Sequence, residues 1–114
     1  MVDYATELKK GLATVLPTYD EPVEASGTPV PCITYAETNR RDLQAVNGLQ
    51  YMEIQVRVRV WTTGRKDMQQ YTDSAETVLR RMGWSIIGSG ELAANGRFCK
   101  IMTCSATGWD RKTW

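Results

Sequence analysis

The chain has 114 residues, 42% of them hydrophobic, with 14 Lys and Arg set against 13 Asp and Glu and no His. This length allows one ordinary core without disulfide or metal staples, and a formal charge of +1 with interleaved signs excludes the basic footprint of a general phosphate binder. The missing imidazole removes Ser-His-Asp and Cys-His nucleophilic sites together with the commonest metal ligand.

Tyr4, Leu8, Leu12 and Val15 recur at helical spacings, which predicts an amphipathic helix from Asp3 to Leu16 that Pro17 ends. Thr18-Tyr19-Asp20-Glu21 reads as a short edge strand before a Pro- and Gly-rich connection. Cys32 to Thr38 is rich in strand formers, and the polar Asn39–Gly48 segment with its Asn47-Gly48 pair reads as a long loop. From Met52 the alternation is clear: Met52, Ile54, Val56, Val58 and Val60 are apolar, while Glu53, Gln55, Arg57 and Arg59 are polar. Period two over this stretch, closed by Trp61, is a half-buried strand, expected to pair antiparallel with Cys32–Thr38.

Thr62-Thr63-Gly64 breaks the strand, and Met68, Tyr71, Ala75, Val78, Leu79 and Met82 then fall at helical spacings. They predict a second helix over about Lys66–Met82, stopped at Gly83. Trp84 to Ile87 and Phe98 to about Ala106 read as two further strands, linked by loops at Gly88-Ser89-Gly90 and Asn95-Gly96. The expected fold is a single α+β domain over residues 1–114: an N-terminal helix, a mixed or antiparallel sheet of about four to five strands, and a second helix on one face, with 108–114 as a C-terminal extension.

Candidate constellations are few. The start Met1-Val2-Asp3-Tyr4 has neither the basic nor the apolar region of a secretory leader, and no run approaches the roughly 18 apolar residues of a membrane span, so the expected origin is cytosolic. Cys32, Cys99 and Cys104 form no C-x-x-C, and the spacing of the last two puts them on opposite faces of a strand, so they read as reduced, partly buried thiols rather than metal ligands. Gly88-Ser89-Gly90-Glu91-Leu92-Ala93 fits a dinucleotide fingerprint in letters only, because Asn95-Gly96 leaves no room for the helix that must follow. Asp20 with Glu21, or Glu37 with Asp42, could pair as acids, but nothing sets them apart from solvated carboxylates. Arg40-Arg41 could meet a phosphate or an acidic partner, or simply keep a loop soluble. Arg80-Arg81 suit the C-terminal end of a helix dipole. Trp109 and Trp114 lie in a polar tail, where docking on the same domain and docking on a neighbouring subunit remain equally open.

A leading helix is followed by a Pro-rich stretch, Thr28-Pro29-Val30-Pro31-Cys32-Ile33-Thr34-Tyr35, then by the alternating strand Glu53-Ile54-Gln55-Val56-Arg57-Val58-Arg59-Val60-Trp61-Thr62, the helix Met68–Met82 and the stretch Gly83–Thr107. Over nearly the whole chain this order resembles the entry strand, long central strand, helix and terminal hairpin of the tail-completion and tail-terminator proteins of long-tailed bacteriophages.

The resemblance implies a virion structural protein at the tail neck, assembled in the host cytoplasm. Such a subunit is a homo-oligomer, typically a hexameric ring, that ends tail-tube polymerisation and meets the head-tail connector or stopper, while genome DNA passes its lumen without sequence-specific binding. It implies no enzyme activity and no cofactor. The candidate contact residues are Arg40, Arg41, Asp42, Leu43, Arg57, Arg59, Trp109 and Trp114. The alternative from another class is a small monomeric nucleic-acid-binding module using Arg57, Arg59 and Tyr51. A carboxylate hydrolase built on Glu37 and Asp42 is a third.

Overall fold

In a computed structural model of the protein, the described residues are 4–21, 29–44, 50–94 and 96–108. They form α1 (Tyr4–Ala13), β1 (Thr18–Asp20), β2 (Cys32–Gln44), β3 (Gln50–Thr62), α2 (Arg65–Arg81), β4 (Ser85–Ala94) and β5 (Arg97–Gly108). One sheet runs in the order β1-β2-β3-β5-β4, with β1 parallel to β2 and every other neighbouring pair antiparallel. Among the described residues, no helix is long and apolar enough to cross a membrane.

The even residues of β3 are the centre of the core. Met52, Ile54, Val56, Val58 and Val60 are all at most 4% exposed, flanked by Ile33 and Tyr35 of β2 and by Met102, Cys104 and Ala106 of β5. The two helices cover this face: Leu8 and Leu12 of α1 and Ala75 and Leu79 of α2 complete the same cluster. Each fully buried aliphatic side chain contributes about 1.5–3 kcal/mol of burial, so a single strand accounts for much of the hydrophobic stabilisation.

Local chemistry sets the ends of the helices. The α2 stop is a Schellman arrangement: Gly83 takes the left-handed φ of 94°, its N–H bonds Arg80 O at 3.1 Å, and the Trp84 N–H bonds Leu79 O at 2.9 Å. That closure carries Trp84 into the core beside Tyr4, ring centroids 6.1 Å apart. α1 ends three residues earlier than its periodicity suggests. The Thr14 hydroxyl bonds Gly11 O at 2.6 Å and the Leu16 N–H bonds Leu12 O at 3.2 Å, so the chain turns on loosely before Pro17.

The helix, strand and α+β assignments stand, and so does the Cys32–Thr38 pairing, but two loop assignments do not. Asn39 to Gln44, expected in a loop, continues β2 in register with β3 out to Gln44 opposite Gln50; residues 45–49 lie outside the described set. A β-bulge between Glu37 and Asn39 shifts the phase there, which hides the alternation from a period-two reading. Gly88-Ser89-Gly90 is likewise no loop but the interior of β4, after a bulge between Ile86 and Gly88. Backbone pairing to β5 supplies the order that glycine propensity alone would deny.

Candidate functional site

Residues opposite one another across antiparallel strands share a face, so the register lays out the side of the sheet away from the core cluster row by row. Trp61 stands between Cys32 and Cys99, Arg59 between Thr34 and Ile101, Arg57 between Ala36 and Thr103, Gln55 between Asn39 and Ser105, and Glu53 between Arg41 and Thr107. The two arginines follow from the odd phase of β3 and point at Glu21, the residue that leaves β1. Glu21 Oε2 accepts from Arg57 Nη2 at 2.8 Å, and its Oε1 accepts from the Thr34 hydroxyl at 2.8 Å and from Arg59 Nη1 at 3.4 Å. Thr34 in turn accepts from Trp61 Nε1 at 3.0 Å. Four side chains from two strands, Thr34 of β2 and Arg57, Arg59 and Trp61 of β3, are thus linked through one carboxylate. Burial alone would raise the Glu21 carboxyl, but the hydrogen bonds from Arg57 and Thr34 and the charges of Arg59 and Arg57 outweigh it and hold the group below the usual glutamate range.

A second cluster lies on the core side of the sheet. The Tyr4 hydroxyl donates to Glu37 Oε1 at 2.5 Å, Arg40 donates to the same oxygen from Nε at 3.0 Å and Nη2 at 2.8 Å, and the Arg40 guanidinium lies 5.7 Å from the Tyr4 ring centroid. Burial and the bond to Glu37 push the Tyr4 phenol up to about 12. For Glu37, burial raises the carboxyl but Tyr4 and Arg40 lower it by more.

No protein-family model matches the chain, and no curated protein matches it.

Of the contact residues read from the sequence, Arg57 and Arg59 come together, bridged by Glu21. Arg40 and Arg41 part: they pair with Ile54 and Glu53, on opposite faces, and Arg41 is bonded to Glu53 at 3.0 Å. Asp42 and Leu43 are strand residues in register with Met52 and Tyr51, and Trp109 and Trp114 lie outside the described residues. Glu37 and Asp42 sit opposite Val56 and Met52, and the Glu37 carboxylate is already engaged by Tyr4 and Arg40. Asp20 is exposed while Glu21 is engaged with the arginines, so that pair shares no site either. An arginine face for nucleic acid loses half its formal charge to Glu21, which leaves one net positive charge over Arg57 and Arg59.

Cys104 faces the core opposite Val56, and Cys99 faces the other side opposite Trp61, as their spacing requires. All three thiols are free and buried, and burial pushes Cys99 and Cys104 up to about 12. Among the described residues no three Cys, Asp or Glu side chains are grouped to hold a metal ion. Sequence reasoning missed the role of Glu21 and Thr34. Their link depends on the parallel pairing of Tyr19 with Thr34, a long-range contact with no local signal.

The remaining notable surface is the sheet edge. β4 pairs with β5 alone among the described strands, and Ile87 and Leu92 on it, 56% and 39% exposed, are two of the three exposed large hydrophobic side chains of the described residues.

Proposed function

We propose that the chain is a virion structural subunit that forms a homomeric ring at the head-proximal end of a phage tail, where it ends tail-tube growth and joins the tail to the head connector. What supports the reading is the segment order already described together with one structural observation. The helices and core occupy one face of the sheet, while the other face carries an ion network tied down within the subunit and, among the described residues, no strand pairs with the outer edge of β4 or with β2 beyond Tyr35. A face fixed in this way needs no rearrangement to dock, and open edges are what a ring of identical subunits covers. The activity is assembly rather than chemistry, with six subunits expected and with genome DNA passing the lumen without base contacts.

The test is tube growth. Purified tail-tube protein from the same phage is polymerised with and without this protein, and tube lengths are measured by electron microscopy. Short tubes of narrow length distribution, each capped at one end, are the expected result; unchanged lengths at saturating protein would overturn the assignment.

A further inference from the structure

The arginines bonded to described acids are not served equally. Arg40, Arg41 and Arg80 each have a carboxylate to themselves, in Glu37, Glu53 and Glu76. Arg57 and Arg59 share Glu21. This trio therefore keeps one positive charge that no described acid offsets, on the same face as the balanced pair of Arg41 with Glu53.

Donors are in surplus as well. A guanidinium carries five N–H groups. Among the described residues each of these two gives a single bond, to Glu21, and that from Arg59 is long at 3.4 Å. Of the three buried side-chain polar atoms without a partner among the described residues, two are Arg57 Nε and Arg59 Nε. Buried donors are ordinarily paired, so Glu21 alone leaves both side chains under-satisfied. Their outer ends are within reach of a ligand: Arg57 is 36% and Arg59 28% exposed.

The surroundings favour a charged contact at this place. Strand alternation sets Trp61, Arg59, Arg57 and Gln55 in one row, with successive residues about 7 Å apart. Trp61 is anchored by its bond to Thr34, and its half-buried ring beside Arg59 lowers the local dielectric, which strengthens ion pairing there. On β2 the residue opposite Arg57 is Ala36, too short to cover the guanidinium. Glu21 also shows which acceptor fits, because its one carboxylate takes Arg57 on Oε2 and Arg59 on Oε1 and so bridges both forks.

We infer that the solvent-facing side of Arg57 and Arg59 is a docking point for one acidic side chain of a partner protein, which bridges the two guanidiniums from outside as Glu21 bridges them from within. A single carboxylate matches the one net charge left over. A nucleic-acid backbone repeats its phosphates and needs a line of cations, whereas Arg41 on this face is already bonded to Glu53. One chain holds the whole site, so the inference stands apart from ring closure.

The test uses the full chain and an alanine peptide with one central glutamate, blocked at both ends so that the glutamate carries its only charge. The Nε–H signals of Arg57 and Arg59 and the indole N–H signal of Trp61 are followed by NMR during titration. Saturable shifts of these signals are expected with the glutamate peptide and none with its glutamine counterpart. Arg59→Gln, which loses only the longer bond to Glu21, should weaken binding about tenfold or more with circular dichroism unchanged, and Arg59→Lys should restore part of it. No shift with the glutamate peptide, equal shifts with both peptides, or binding unchanged by Arg59→Gln would overturn the inference. Tighter binding of single-stranded oligothymidylate than of the peptide at physiological salt would also overturn it, assigning the arginines to nucleic acid.

Discussion

Arg57 Nη2 lies 2.8 Å from Glu21 Oε2, so a carboxylate from the residue after β1 neutralises a guanidinium from the middle of β3. The contact crosses β2 and ties β1, the one strand paired in parallel among those described, to the centre of the sheet. Glu21 is the sole described acid that both arginines contact, and its side chain is 12% exposed while theirs are 36% and 28% exposed. Replacing it by Gln leaves two like charges close together, with one neutral amide oxygen as the acceptor for Thr34 and the arginines.

Glu21→Gln is therefore expected to destabilise the fold by about 1–2 kcal/mol at neutral pH, the partial exposure keeping the cost below that of a fully buried pair. The pH dependence follows from the lowered carboxyl of Glu21 in the folded state. Its stabilisation is complete above the unfolded value of about 4.3 and is lost as pH falls through the lower folded value. Chemical denaturation at pH 7 and pH 3 checks this: the difference between wild type and Glu21→Gln should narrow at pH 3.

Tyr4→Phe keeps the ring against Trp84 but removes the hydrogen bond to Glu37, which retains Arg40. A loss of about 0.5–1.5 kcal/mol is expected. The phenol is raised to about 12 in the folded chain, so its contribution is intact below the unfolded value of about 10 and declines as pH rises towards 12. A stability profile between pH 9 and 11 should accordingly fall more steeply for wild type than for Tyr4→Phe.

The three thiols should be silent in the native state. Cys32, Cys99 and Cys104 are at most 1% exposed, and burial raises all three above the ordinary thiol range. Alkylation at pH 8 followed by mass spectrometry should show no rapid modification until denaturant is added, and then three adducts per chain. Fast native labelling of any one would contradict the packing around Trp61 or the core.

Much of this architecture was legible in the sequence. The unbroken alternation from Met52 to Val60 fixes one buried and one polar face, and Leu8, Leu12, Ala75 and Leu79 fall at the spacing of helices laid over it. What escaped has physical causes. The bulge after Glu37 breaks the alternation of β2, and the edge strand β4 holds glycines that local propensity assigns to a turn. The candidate site was half legible: Arg57 and Arg59 were found by phase alone, whereas Glu21 reaches them only through tertiary pairing, and Arg40 and Arg41, adjacent in sequence, separate once they lie on a strand.

The crossing of α1 on α2 makes a further prediction. A Cβ at Gly11 would collide with Met82 Sδ and approach Val78 Cγ1 to 3.4 Å. Met82 is flexible and 36% exposed, so it can swing aside at modest cost. Gly11→Ala alone should be destabilising by no more than about 1 kcal/mol, and in a Met82→Ala background it should become stabilising by about 0.5–1 kcal/mol as helix propensity prevails. A double-mutant cycle by thermal denaturation measures this coupling.

The mass of the purified chain in solution, alone and mixed with tail-tube or head-connector protein, tests the central claim most directly. The expected result is a closed ring of several subunits in at least one of these conditions, with six the anticipated number. A monomer in all of them would contradict it.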